Sequence, residues 1–130
     1  MLIYRLEHTS GFGLWSHSEY DVFETNAYYN IKKRCADRES HPNTYYDFGS
    51  KTETFIIKNN YFHAVYSMEH FYAWFDVDWI DLIQYGFKMY EIEILSSDTI
   101  GGRAQVCFNP EKVISKREIT PEEYRAALGL

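Results

Sequence analysis

Residues 67–95 read SMEHFYAWFDVDWIDLIQYGFKMYEIEIL, and the change of period within them decides the fold class. Ser67 is placed to cap a helix in which Met68, Phe71, Tyr72 and Phe75 recur at helical spacing. Asp76 or Asp78 can cap a second short helix in which Trp79, Leu82 and Ile83 share a face. Gly86 then stops it, at the position where a left-handed residue is wanted. From Phe87 the period falls to two. Tyr90, Ile92 and Ile94 lie on one face and Glu91 and Glu93 on the other, the pattern of a half-buried strand over residues 87–95.

Working outward, residues 103–108 (RAQVCF) read as another strand, with Ala104, Val106 and Phe108 on one face and Gln105 beside Arg103 and Cys107 on the other. A further strand is expected over residues 113–119, after a turn at Asn109-Pro110. Thr120-Pro121-Glu122-Glu123 combines an N-cap, a proline at the first helical position and a glutamate three residues on, which starts a helix through Leu128. Toward the N-terminus, residues 2–7 form a first strand that ends in a turn over residues 8–13. Tyr20, Phe23, Ala27, Tyr28 and Ile31 predict a helix within residues 18–38. Residues 39–50 read as a loop, and residues 54–57 and 61–66 as a hairpin around Lys58-Asn59-Asn60. The expectation is an α+β fold: a single compact domain over residues 1–130, with a mostly antiparallel β core and short flanking helices.

Composition narrows the function classes. The net charge of −6 argues against general binding to a phosphate backbone, which needs a basic surface. Residues 69–98 hold seven acids against one base, Lys88, an excess equal to the whole net charge. Such a face can dock a basic partner or mimic nucleic acid toward a basic groove. A short basic patch, Lys32-Lys33-Arg34 with Arg38, opposes it. Aromatic residues make up 18% of the chain, enough to build either an aromatic core or a surface for a flat ligand or partner. Cys35 and Cys107 form no ligand spacing and point to a reducing, cytoplasmic compartment; no membrane span or signal core is expected. The histidines, among them His63 and His70, have no third ligand at metal-site spacing, and no phosphate-cradling glycine motif or nucleophile elbow is present.

What remains is an order of short motifs: Tyr4-Arg5 on the first strand leading into the turn at His8, Ser67 closing a central strand before an aromatic helix, and Gln105 on a late strand. In that order the chain resembles the ADP-ribosyltransferase superfamily in its Arg-Ser-Glu arrangement, and most of all the small members carried by bacteriophages, some of which modify or block host proteins. The resemblance implies an NAD-binding protein. Arg5 would hold a phosphate or ribose, with Tyr4 and His8 beside it, and Ser67 would shape the nicotinamide pocket. Tyr72 or Trp74 would stack on a ring, and Gln105 would occupy the catalytic late-strand position. The departure is Gln105 itself: it stands where the family usually carries Glu, and glutamine offers no full negative charge or base. Glu111 is too far along to share that strand face, and whether Glu93 on a neighbouring segment substitutes for the usual Glu is left open. The acceptor implied is a host protein, with nucleic acid left open, in the host cytoplasm.

Each residue also has a plainer role: Arg5 as a surface partner of Glu7, Ser67 as an N-cap, Gln105 as a solvated strand residue. The alternative function is then a non-catalytic, acidic, aromatic-rich protein that inhibits a host protein by direct interaction.

Overall fold

Gly86 marks the point where the helical half of the chain turns into the central strand, and it does so for a steric reason. Its φ is +89°, and a Cβ there would stand 2.6 Å from His8 Nε2, so only glycine fits. The computed structural model describes residues 1–11, 13 and 43–130. The helix expected within residues 18–38, the Lys32–Arg34 patch with Arg38, Cys35, His17 and His41 lie outside the described residues.

The described elements run β1 (Leu2–His8), α1 (Thr44–Phe48), α2 (Ser50–Lys58), β2 (Phe62–Ala64), α3 (Met68–Phe75), a 3-10 helix (Asp78–Tyr85), β3 (Phe87–Glu93), β4 (Thr99–Gly101), β5 (Val106–Phe108), β6 (Ser115–Ile119) and α4 (Pro121–Leu128). The strands form two three-stranded sheets, in the orders β1-β3-β6 and β2-β5-β4, with every pairing antiparallel. This is the α+β architecture with an antiparallel β core and short flanking helices that the period change in residues 67–95 predicts. The sheets are joined where Tyr4 on the outer side of β1 exchanges both main-chain hydrogen bonds with Val65, at 2.9 and 2.8 Å.

Two apolar clusters hold the layers together. On one face of the β1-β3-β6 sheet, Leu6, Phe87, Met89 and Ile119 pack against Phe71, Trp74 and Phe75 of α3, Trp79 and Leu82 of the 3-10 helix, and Tyr124 of α4. The rings meet mostly edge to face, for example Phe71 with Trp79 at 5.9 Å and Trp79 with Tyr124 at 5.3 Å. On the opposite face, Ile3 and Ile92 join Ile94 and pack on Ala64, Val106 and Phe108 of the second sheet. β3 therefore buries both of its faces: Phe87 and Met89 toward the helices, Ile92 toward the second sheet.

The caps follow the local sequence. Ser67 Oγ accepts from the His70 N–H, and Thr120 Oγ1 accepts from the Glu123 N–H, with Pro121 in the first turn of α4. Four expectations need correction. Residues 43–48, read as loop, contain α1, because Asn43 caps it through the Tyr46 N–H. Residues 54–57, read as one arm of a hairpin, are helical in α2, which opens at Gly49 and ends where the Asn59 N–H turns back to Phe55 O. The β-branched run TETFII suggests a strand, but Ile56 alone is buried, so one anchoring contact suits a helix better than an alternating face. Neither Asp76 nor Asp78 caps the 3-10 helix: Asp76 closes α3 at a φ of +53°, no side chain caps the next turn, and Ile83 is exposed rather than sharing the buried face of Trp79 and Leu82. Lastly, the strand expected over residues 103–108 begins only at Val106, since residues 102–105 form the turn of the β4–β5 hairpin, closed by Gly102 N–H to Gln105 O at 2.8 Å.

Candidate functional site

Alternation along β1 sends Ile3, Arg5 and Glu7 to one face and Tyr4, Leu6 and His8 to the other. Pairing sets Arg5 opposite Tyr90, Glu7 opposite Lys88, and, across β3, Tyr90 opposite Glu118 and Ile92 opposite Lys116. Directly opposed residues share a face. The side of the main sheet away from the helices thus gathers Arg5, Glu7, Lys88, Tyr90, Lys116 and Glu118.

At its centre is an ion triad made of a buried pair, Arg5 and Glu7, and the half-exposed Lys116. Arg5 is 8% and Glu7 3% exposed. Arg5 Nε donates to Glu7 Oε2 at 2.8 Å, Nη1 donates to the His63 carbonyl at 2.7 Å, and the guanidinium lies 4.6 Å from the centre of the Phe62 ring. The Lys116 ammonium completes the group: it bonds Glu7 Oε1 and sits 4.3 Å from the centre of the Tyr90 ring. Burial pulls the Arg5 pKa below its usual value while the Glu7 carboxylate opposes the shift. Two cations around one carboxylate leave a local excess of one positive charge in an otherwise acidic chain. Beside the triad opens a pocket of about 330 Å³, with Phe62, Ile92, Phe108, Pro110 and Val113 as apolar walls and Glu7, Lys116 and Gly11 completing the lining. Phe62 and Phe108 meet edge to face at 6.0 Å. An apolar, partly aromatic wall beside a single excess cation suits a small planar group carrying negative charge.

A second polar cluster lies behind the first, around β2 and β5. Asp47 of α1 receives the Ala104 N–H on Oδ1 at 2.7 Å and the Gln105 N–H on Oδ2 at 2.9 Å. Its carboxylate fills the space over Gly102, where a Cβ would come within 2.6 Å of Oδ2. That contact explains the second glycine of the Gly101-Gly102 pair. His63, paired with Cys107 across β2 and β5, meets Thr44 Oγ1 through Nε2 at 2.8 Å. Burial first, and then the charge of Arg5, lower the His63 pKa to about 4. Burial and Asp47 push the Cys107 thiol up to about 12, which makes it a packing residue rather than a nucleophile.

The residues marked out by the transferase-like order separate across these surroundings. Arg5 lies in the triad, and its bond to the His63 carbonyl connects it to β2 and β5, the strand that Gln105 precedes. Gln105 is 7% exposed, within a turn pinned by Asp47 rather than on a strand. Ser67 caps α3. Tyr4 points to the helix-covered side, where its hydroxyl donates to Glu91 Oε2 at 3.0 Å and its pKa rises to about 12 through burial and that bond. His8 keeps the same side, its ring edge-on to Phe87 at 5.3 Å and Nδ1 2.7 Å from Ser10 Oγ. Trp74 is buried in the helix-side core, and Tyr72 is half-exposed beside Tyr124. Glu93 is exposed and takes the Ser115 hydroxyl at 3.3 Å, and Glu111 is exposed in a 3-10 turn at Pro110–Lys112. Sequence reading anticipated the Arg5–Glu7 pair but not its burial. It missed Asp47, Lys116 and the His63–Thr44 contact, whose partners are too distant in the chain to leave a local signal. Among the described residues no group of three or more His, Cys, Asp or Glu could hold a metal, and no helix is long and apolar enough to cross a membrane.

The outer face of α3 differs from both clusters. Glu69, Tyr72, Ala73 and Asp76 are exposed at helical spacing, followed by exposed Val77 and Asp81. A family model described as the bacteriophage T4 Y00F protein matches residues 1–122. The chain belongs to that family, and so to the bacteriophage proteins. No curated protein and no solved structure matches it.

Proposed function

We propose that this phage-family chain acts by direct, non-catalytic contact with a host protein, through the acidic and aromatic outer face of α3. The observation that carries the reading is the contrast between occupied and open groups. Arg5, Glu7 and Asp47 are committed to internal partners, whereas Glu69, Asp76 and Asp81 are exposed and Tyr72, resting on Tyr124, keeps its outer side open to solvent. An exposed tyrosine between carboxylates suits a basic partner surface, which would be steered by charge and anchored by the ring. The partner meets the chain in the host cytoplasm on this reading. The test is capture from a host lysate at low and high salt, by the native chain and by a Glu69→Lys/Tyr72→Ala variant. A stoichiometric partner held at low salt, lost at high salt and lost with the variant supports the reading. Capture unaffected by salt and by the variant overturns it.

A second reading has its own observation, the pocket beside Arg5, Glu7 and Lys116 with its excess positive charge and aromatic wall. It is the ADP-ribosyltransferase-like one: NAD binds there, a phosphate or ribose meets Lys116 because the buried Arg5 is held by Glu7 and the His63 carbonyl, and ADP-ribose passes to a host protein or nucleic acid. Gln105 in place of Glu weakens the catalytic half of this reading more than the binding half. Calorimetry with NAD and transfer of label from NAD into a host lysate check it. Heat that disappears in Lys116→Ala supports binding at the pocket, and the absence of both heat and label removes the reading.

A further inference from the structure

The two outer strands of the main sheet are finished differently. β1 is crossed on its free side by Val65 and Gly13. Among the described residues no strand lies beyond β6. The hydrogen-bond phase of the sheet identifies which groups that leaves open. Ile94 N–H bonds Met1 O and Thr9 N–H bonds Gly86 O, so the even-numbered residues of β3 bond toward β1 and the odd-numbered ones toward β6. With Glu91 opposite Arg117 and Met89 opposite Ile119, β6 spends Ser115, Arg117 and Ile119 on β3. The main-chain N–H and C=O of Lys116 and Glu118 point outward and meet no partner among the described residues.

Charged side chains ordinarily guard such an edge. Here each is tied to a partner within the chain while staying about half exposed. Lys116 bonds Glu7, Glu118 pairs with Lys88 at 2.8 Å, and Arg117 is held by Glu123 at 2.7 Å and Glu91 at 3.3 Å. The strand SKREI also reads as its own complement about Arg117. We propose that β6 is the contact between two copies of this chain, paired antiparallel about a two-fold axis through Arg117 to give a continuous six-stranded sheet.

Three registers would join outward residues to outward residues. Centring on Lys116 sets lysine against lysine, and centring on Glu118 sets glutamate against glutamate. Centring on Arg117 sets Lys116 against Glu118 of the second copy twice over, through the very residues whose main-chain groups are open. On that face, Lys88, Glu118, the second copy's lysine and its buried glutamate then alternate in sign. The two arginines meet at the axis, each already held by two carboxylates. A five-residue edge buries far less than the roughly 1,600 Å² of a standard interface, so the association is weak and of the isologous kind.

Sedimentation equilibrium over a micromolar-to-millimolar series of the full chain is the test, with amide exchange of Lys116 and Glu118 as the direct readout. The native chain is expected to approach twice the monomer mass, with those two amides slowing as concentration rises. Glu118→Pro deletes an outward N–H that the monomer does not use, and is expected to weaken association about tenfold or more. Lys88→Glu/Glu118→Lys keeps the internal pair but sets lysine against lysine between copies, and is expected to have the same effect with an unchanged circular dichroism spectrum. A chain monomeric throughout the series, or a dimer indifferent to both variants, overturns the proposal. So does an edge whose amides are protected only by an added host protein.

Discussion

The two faces of the β1-β3-β6 sheet were built by opposite means. The helix side is a conventional core, in which Leu6, Phe87, Met89 and Ile119 meet the rings of Phe71, Trp79 and Tyr124. The other side buries charge beside its smaller apolar cluster of Ile3 and Ile92: Arg5 and Glu7 are nearly as inaccessible as the core, and they hold each other with Lys116. Apolar burial is additive and tolerant, while a buried ion pair holds only as a set, since removing one member strands the other in a medium that solvates it poorly. The two apolar clusters, the larger of them on the helix side, therefore supply stability, and the triad supplies a defined arrangement beside a pocket.

Substitution can break the comparison at either face. The largest effect is expected from Phe71→Ala, which empties a fully buried ring position in the helix-side core and is predicted to cost about 4 kcal/mol in urea denaturation. Glu7→Leu is next, at about 3 kcal/mol, because it leaves the Arg5 guanidinium buried without its carboxylate. Adding Arg5→Met to Glu7→Leu is expected to return most of that loss, whereas a second truncation in the aromatic core would deepen it. If Glu7→Leu alone is neutral, the triad is not a set.

Acid sharpens the same contrast. His63 lies against the charged side, and its folded pKa is lowered to about 4 from the ordinary 6.5, so below that ordinary value the unfolded chain takes up a proton that the folded chain refuses. Its contribution is neutral to stability above pH 6.5 and becomes destabilising as pH falls toward 4. His70, lowered by burial, acts with the same sign. Unfolding free energies from urea denaturation at pH 7 and pH 5 should differ by about 2 kcal/mol, and His63→Gln should flatten the slope. A slope unchanged in that variant would assign the acid sensitivity elsewhere. The smallest effect, about 1 kcal/mol, is expected from Thr120→Ala, which removes the N-cap of α4 and loosens one lid of the helix-side core without touching the triad. Thermal unfolding resolves it.

How much of this was legible in the chain depended on distance along it. Ser67, Gly86, Thr120 and Pro121 announce their roles because each acts on main-chain groups within a few residues. The alternation of β3 is equally local, although reading Tyr90, Ile92 and Ile94 as one buried face overlooked the burial of Phe87 and Met89 on the other. α2 was misread because its β-branched run satisfies strand propensity, and one buried contact at Ile56 outweighs that preference. Gln105 was read as a strand residue because nothing near it reveals Asp47, 58 positions earlier, which turns its N–H away from any ladder.

Periodicity, capping and composition are properties of neighbouring residues, and so the α+β class, the antiparallel pattern, the caps at Ser67 and Thr120 and the acid excess of residues 69–98 are readable in the chain alone. Tertiary structure alone made Arg5 a buried member of a triad, turned Tyr4 beside it to the opposite face, and placed β6 last in its sheet among the described residues. Those outcomes hang on partners brought from opposite ends of the chain, Glu7 and Lys116 foremost, and no local preference encodes which strand will lie beside which.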